Sequence, residues 1–225
     1  MKVIVAVSAF NESKVIYRVV KSIPRRIKNT TISIVVVDDG SFDNTAQEAR
    51  KAKAIVVRHI LNRGLGAAIK TGIDYAQRQQ YEAMVTFDGD GQHNPADIEK
   101  IIAPIFKKEA DLVVGSRFTR SQNVPVDRLI INWLANLATL LLFGVSSTDS
   151  QSGLRAFSKK ALNLIDYKGE RMDFSSEILL EAKKHKLIVT EVPIEAIYTK
   201  YSRIKGQKNI NSINVLLRFL VRIFR

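Results

Sequence analysis

The chain has 225 residues, 46% of them hydrophobic and 25% charged, enough for the core of one compact domain with a short appendage. It has no cysteine, which excludes disulfides and thiolate metal sites, leaves only oxygen-bound metals and fits a reducing compartment. A net charge of +13 and a pI of about 10.0 call for an anionic partner: nucleic acid, an anionic membrane surface or phosphorylated substrates. No finger or aromatic-basic stacking motif is present and the Lys and Arg residues are dispersed until the last quarter, so we expect no nucleic acid.

Met1–Val7 is too short an apolar run for a signal peptide and reads as the start of a strand. In chain order, Val3–Ser8 reads as a strand, Lys14–Ser22 as a helix, Ile32–Asp38 as a strand and Thr45–Lys51 as a helix. Ala54–His59 (strand), Gly66–Gln79 (helix), Ala83–Asp88 (strand), Pro95–Lys108 (helix) and Leu112–Ser116 (strand) continue the alternation. Asn94-Pro95 is a helix start, with Asn as N-cap and Pro at the first helical position. The alternation predicts an α/β fold, a mostly parallel sheet flanked by helices on both faces. Ligands of such sheets bind beyond the carboxyl ends of the strands. The polar ends Ser8–Glu12, Asp38–Ser41 and Asp88–His93 should therefore converge.

Beyond Arg117 the pattern changes. Leu129–Thr148 carries no charge, but Asn132, Asn136, Gly144 and two serines shorten its apolar part below the roughly 20 residues of a membrane span. A helix lying in the membrane interface, or packed over the core, fits better than a span. In the tail, Ile213, Leu216, Leu217, Leu220, Ile223 and Phe224 recur at helical spacing, with Arg218, Arg222 and Arg225 on another face. Residues 210–225 read as a basic amphipathic helix for an anionic bilayer, or as a helix docked on its own domain; residues 1–209 form the main domain.

Three stretches carry candidate chemistry. Met84–His93 is an apolar strand running into Asp88-Gly89-Asp90, two carboxylates that a hard divalent cation could share with a substrate diphosphate, with glycines leaving room and Gln92 adding an oxygen. Val35-Val36-Val37-Asp38-Asp39-Gly40-Ser41 is a second acidic strand end, able to accept from a base or ribose. Asn62-Arg63-Gly64-Leu65-Gly66 opens a helix but meets neither the dinucleotide fingerprint, for which Ile69 is wrong, nor the P-loop, which needs Gly before Lys70. It remains a place for anionic oxygens.

Together with Ser8-Ala9-Phe10-Asn11-Glu12, Gly115-Ser116-Arg117 and Ser152-Gly153-Leu154-Arg155, these stretches resemble, in order and over nearly the whole chain, the family 2 glycosyltransferases of the GT-A fold. The nearest resemblance is to the polyprenyl-phosphate (dolichol-phosphate) sugar synthases. The resemblance implies that Ser8, Phe10, Glu12, Val37 and Asp39, with Arg63 and Gly89, hold a nucleotide-sugar such as GDP-mannose or UDP-glucose. It implies that Asp88, Asp90 and Gln92 bind Mg²⁺ or Mn²⁺, and that Arg117, with Arg203 and Lys208 of the basic segment Tyr201–Lys208, neutralises donor and acceptor phosphates. Asp90 and Arg117 would serve an inverting displacement. An already ionised polyprenyl-phosphate acceptor needs little base, whereas a hydroxyl acceptor would need one, and Asp149 is the candidate. The family pattern more often has Pro and Tyr where Ser8 and Phe10 stand, and some lipid-linked relatives carry an acid at the position of Gly153. Peripheral attachment at the cytoplasmic face of a membrane follows, with or without a separate anchor protein. Transfer to a soluble hydroxyl, or a non-catalytic nucleotide-sugar-binding membrane module, are the alternatives.

Overall fold

The computed structural model describes residues 2–119, 126–169, 174–195 and 197. The tail helix expected over 210–225, the boundary before it, and Arg203 and Lys208 lie outside the described residues. The first part follows the expected alternation: β1 (Val3–Ala9), α1 (Ile16–Ser22), β2 (Arg26–Ile27), β3 (Thr30–Asp38), α2 (Thr45–Lys51), β4 (Ile55–Arg58), α3 (Leu65–Arg78), β5 (Ala83–Asp88), α4 (Asp97–Phe106) and β6 (Leu112–Ser116). Then come α5 (Val126–Phe143), β7 (Arg155–Ser158), α6 (Lys159–Leu164), α7 (Phe174–Lys184) and β8 (Val189–Pro193).

The strands form one sheet in the order β2-β3-β1-β5-β7-β6-β8, with β4 on the far part of β3. β3 is long enough to pair antiparallel with β2 through Thr30 and Thr31 and parallel with β4 through Val35–Asp38. β1 lies parallel between β3 and β5, so Ser8 is in register with both Val37 and Asp88. The chain runs outward from β1 to β3 and β4, then returns to β5 on the other side of β1. Such a reversal is where open α/β sheets bind ligands.

Alternation along the buried strands divides the core in two. Val3, Val5 and Val7 pack with α1 and α4, while Ile4 and Ala6 pack with α3 on the other face. Each fully buried aliphatic side chain contributes about 1.5–3 kcal/mol. The sheet departs from expectation at β7, which enters between β5 and β6 and runs antiparallel to both. At four residues it is too short to show a periodicity. At α4 the helix proper begins at Asp97, after a turn in which the Asn94 side chain accepts from Ala96 N at 3.0 Å. The helix thus begins later than expected, with Ala96 rather than Asn94 at its N-cap position.

α5 carries most of the uncharged segment. Asn132 and Thr139 are buried, whereas Leu129, Ile130, Trp133, Leu140 and Leu141 are exposed. The usual amphipathic order is inverted, with polar groups toward the protein and apolar ones outward. Among the described residues, no helix is long and apolar enough to cross a membrane.

Candidate active site

The three strand ends do converge. Asp39 N donates to Ala9 O at 2.9 Å and Gly89 N donates to Ser8 O at 2.9 Å. The turns after β1 and β3 are then joined by reciprocal bonds. Asn11 N donates to Ser41 Oγ, Phe42 N to Asn11 Oδ1, Glu12 N to Thr45 Oγ1 and Ser13 N to Asp43 Oδ2, all between 2.7 and 3.1 Å. Asn11 adopts a left-handed conformation (φ 54°) to make this turn, a backbone that Asn tolerates better than most residues. Phe10 is half-buried and meets the exposed Phe42 edge-on, ring centroids 6.3 Å apart.

Asp39 stands at this rim as expected, but its carboxylate is already occupied. Oδ1 accepts from His59 Nδ1 (2.7 Å) and Arg63 N (3.0 Å); Oδ2 accepts from Asn62 Nδ2 (2.8 Å) and Gly64 N (2.7 Å). A carboxylate has about four acceptor positions, and these four donors take them. In this arrangement Asp39 fixes the glycine-rich loop in front of α3. His59 is held from its other side, Nε2 lying 2.8 Å from Thr71 Oγ1. Asp38, fully buried, accepts from Ser41 N at 3.0 Å and pairs with Arg58 Nε at 3.2 Å.

The rim at the end of β5 is arranged otherwise. Asp88 Oδ2 lies 3.0 Å from His93 Nε2. Burial opposes ionisation of Asp88, but His93, by charge and by hydrogen bond, and the Arg117 guanidinium hold its carboxyl below the usual range. Asp90 is pushed the opposite way, upward, by burial and by the charge of Asp88, against the bonds from Gln92. Gln92 N donates to Asp90 Oδ1 at 3.0 Å and its side-chain amide nitrogen donates to Oδ2. A carboxylate only accepts, so the amide oxygen points away from the acid. In this arrangement Gln92 orients Asp90. Gly89 gives its space to packing, since a Cβ there would stand 2.9 Å from Ser8 O and 3.2 Å from Ile16 Cδ1. His93 braces Asp88 and packs edge-on against Phe87 at 5.2 Å.

Arg117, just past β6, is gripped by Asp149. Asp149 Oδ2 accepts from Arg117 N (3.1 Å) and Nε (2.7 Å), and Oδ1 from Nη2 (2.7 Å). Asp149 is wholly buried. In this arrangement the carboxylate expected as a base is engaged on both oxygens by Arg117 and holds its guanidinium.

The profile of the family described as "Glycosyl transferase family 2" matches residues 4–165. The chain belongs to glycosyltransferase family 2. Its relatives include a UDP-N-acetylglucosamine–dolichyl-phosphate N-acetylglucosaminyltransferase of Methanococcus voltae, 37% identical over 96% of this chain and 93% of that one. A polyprenol monophosphomannose synthase of Mycolicibacterium smegmatis is 34% identical over 72% of this chain and 66% of that one. Among solved structures, the glucosyl-3-phosphoglycerate synthase of Mycobacterium tuberculosis, with Mn²⁺, UDP and phosphoglyceric acid, superimposes with a TM-score of 0.71. It is 19% identical over 97% of this chain and 78% of that chain, and the GT-A fold is thereby shared.

Two features of this glycosyltransferase escaped the sequence reading. Gly153 lies against the Asp88 carboxylate, and a Cβ there would stand 2.6 Å from Oδ2. That accounts for the missing acid at this position, since a side chain would displace Asp88. Arg155 is fully buried and donates to three backbone carbonyls, Ser152 O (3.0 Å), Ser175 O (2.8 Å) and Ser150 O (2.7 Å). Burial lowers its pKa to about 10, so it stays charged at neutral pH. It ties the 150–153 loop to α7. Its place in the Ser152–Arg155 motif was visible, but its partners are main-chain atoms that no side-chain pattern announces.

Proposed function

We propose that this glycosyltransferase moves a sugar, with inversion, from a nucleoside diphosphate sugar to a polyprenyl phosphate at a membrane surface. The observation that carries the acceptor class is the closed Asp149–Arg117 pair. A hydroxyl acceptor needs a base, and the candidate base is enclosed. A phosphate acceptor arrives ionised and needs a cation, which the pair presents. The two relatives agree in acceptor class, since their names specify dolichyl phosphate or polyprenol, and differ in the sugar.

Asp88 and Asp90 fit a divalent cation: two carboxylates near enough that one raises the other's pKa hold a conflict that a cation relieves. Among the described residues no group of three or more His, Cys, Asp or Glu is arranged to hold a metal ion. This suits Mg²⁺ or Mn²⁺, which take one or two carboxylates and complete their shell with substrate phosphate and water. When bound, such an ion stabilises the charge growing on the departing diphosphate. The chain's own residues do the rest. Gln92 fixes Asp90, His93 fixes Asp88, and Arg117 meets the acceptor phosphate with Asp149 behind it. Phe10 and the Asn11–Glu12 turn border the nucleoside, while Asp39 keeps the Arg63–Gly64 loop in place beside it. The basic segment Tyr201–Lys208 follows closely in sequence on Ile197, whose N donates to Gln92 O at 2.8 Å; Arg203 and Lys208 serve as further phosphate donors.

The inverted α5 and the net charge of +13 support peripheral attachment to an anionic bilayer, at the cytoplasmic face. Trp133, exposed on α5, is the only tryptophan of the chain. Anionic vesicles should shift its emission to the blue; unchanged emission at saturating vesicle concentration would remove α5 from the interface. The reaction itself is tested with labelled UDP-N-acetylglucosamine and GDP-mannose, Mn²⁺ and polyprenyl phosphate. Label passing into organic solvent is expected, and label transferred only to water-soluble hydroxyls would overturn the proposal.

A further inference from the structure

α5 does more than present an apolar face. Its inner side carries Asn132, Asn136 and Thr139, spaced to share one stripe of the helix. The side-chain nitrogens of Asn132 and Asn136 both donate to Thr148 O, each at 2.8 Å, and Asn136 Oδ1 accepts from Ser150 N at 2.9 Å. The two amides thus hold the residues on either side of Asp149, whose carboxylate holds Arg117. From below, the same segment is held by Glu191, which accepts from Thr148 N at 2.9 Å and Ser147 Oγ at 2.7 Å. Thr148 Oγ1 also lies 2.7 Å from Ser116 Oγ, next to Arg117.

Asn132 gives the arrangement its direction. It is 9% exposed, and its side-chain oxygen has no hydrogen-bond partner. A buried amide with an unmet acceptor is less stable than an apolar side chain of similar size. What the amide adds at this position is the bond made by its nitrogen.

We propose that Asn132 and Asn136 are positioning residues for Arg117, acting through Thr148, Asp149 and Ser150. α5 thereby joins its outward apolar face to the placement of the phosphate-facing cation. The aim of Arg117 is set by where the 148–150 segment sits. The inference deepens the proposed function in one respect only, that Arg117 serves the acceptor.

The test uses the full chain labelled with ¹⁵N-arginine, comparing wild type with the double substitution Asn132→Leu, Asn136→Leu. The Arg117 Nε–H, bonded to Asp149, is followed by hydrogen exchange, with Arg155 Nε–H, bonded to Ser152 O, as internal reference. Exchange at Arg117 should accelerate about ten-fold or more while Arg155 stays protected. The KM for polyprenyl phosphate should rise about ten-fold with the donor KM within about two-fold, as expected when a phosphate contact is misplaced. Unchanged exchange at Arg117 overturns the inference. So does equal loss of protection at both arginines, which would make the amides supports of the fold alone. If wild type transfers no sugar to polyprenyl phosphate, the proposed function fails, and the exchange experiment still decides the positioning role.

Discussion

Val35-Val36-Val37-Asp38-Asp39-Gly40 and Val85-Thr86-Phe87-Asp88-Gly89-Asp90 look alike: an apolar parallel strand ending in two acids and a glycine. The structure uses them in opposite ways. At the first, Asp39 has every acceptor position filled by the 59–64 loop and Asp38 is tied to Ser41 and Arg58. At the second, Asp88 and Asp90 repel, one held low by His93 and Arg117, the other pushed up. Asp39, whose acceptor positions are filled, builds the rim, and acids left in conflict are those a ligand can settle.

Substitutions should separate the two pairs. Asp90→Ala should lower metal-dependent transfer by about 10²–10³-fold, the scale of losing one electrostatic stabiliser of a transition state. Its thermal midpoint should be unchanged or slightly higher, because repulsion with Asp88 is relieved. Turnover within a few-fold of wild type would refute the assignment. Asp39→Asn should do the reverse. It turns an NH₂ toward one of two pairs of N–H donors and should cost about 2–4 kcal/mol of stability, read by denaturant unfolding, with metal dependence retained. Loss of metal affinity without loss of stability would put Asp39, not Asp90, at the cation.

The opposite fates of the two strand ends mark where the sequence is legible. Both strands, the helices α1 to α4 and the convergence of β1, β3 and β5 follow from period-two and helical patterns, which are local. The donors that fill Asp39, His59 and Asn62, come from beyond β4, and only the parallel pairing of β3 with β4 brings them there. Likewise, Asp149 reads as a free acid until its segment is folded against Arg117. β7 and α6, at four and six residues, are too short to show a period. The inversion of α5 had a readable signal in Asn132, Asn136 and Thr139 at helical spacing, but the same stripe suits a surface helix turned the other way. Direction is decided by Thr148 and Ser150, which accept from it and donate to it.

Arg117 and Asp149 form a third acidic arrangement, bonded like Asp39 and, in the proposed function, facing the acceptor. Asp149→Asn and Arg117→Lys should each raise the KM for the acceptor about ten-fold, by removing the paired fork that fixes the cation. In a double-mutant cycle the combined variant should be no worse than either alone, since both break one unit. Full additivity would show that Asp149 acts apart from Arg117. Disappearance of the acidic limb of the pH–rate profile in Asp149→Asn would restore it as a base.

The smallest effect belongs to Asp43, which joins the β1 and β3 turns. Its carboxylate accepts from Ser13 N at 3.1 Å and Thr45 N at 3.0 Å, opening α2. Burial works against the charge, but the bonds from Thr45 and Ser13 prevail and lower its pKa to about 2. Because the folded value lies below the unfolded one, about 3.9, the charged acid stabilises the fold above pH 4. That contribution fades as pH falls from there toward 2. Asp43→Ala should cost about 1 kcal/mol at neutral pH, the usual value of a helix-opening acceptor. The gap from wild type should narrow as denaturant unfolding is repeated at falling pH below 4. A gap that is constant with pH would assign the loss to packing rather than to the ionised acid.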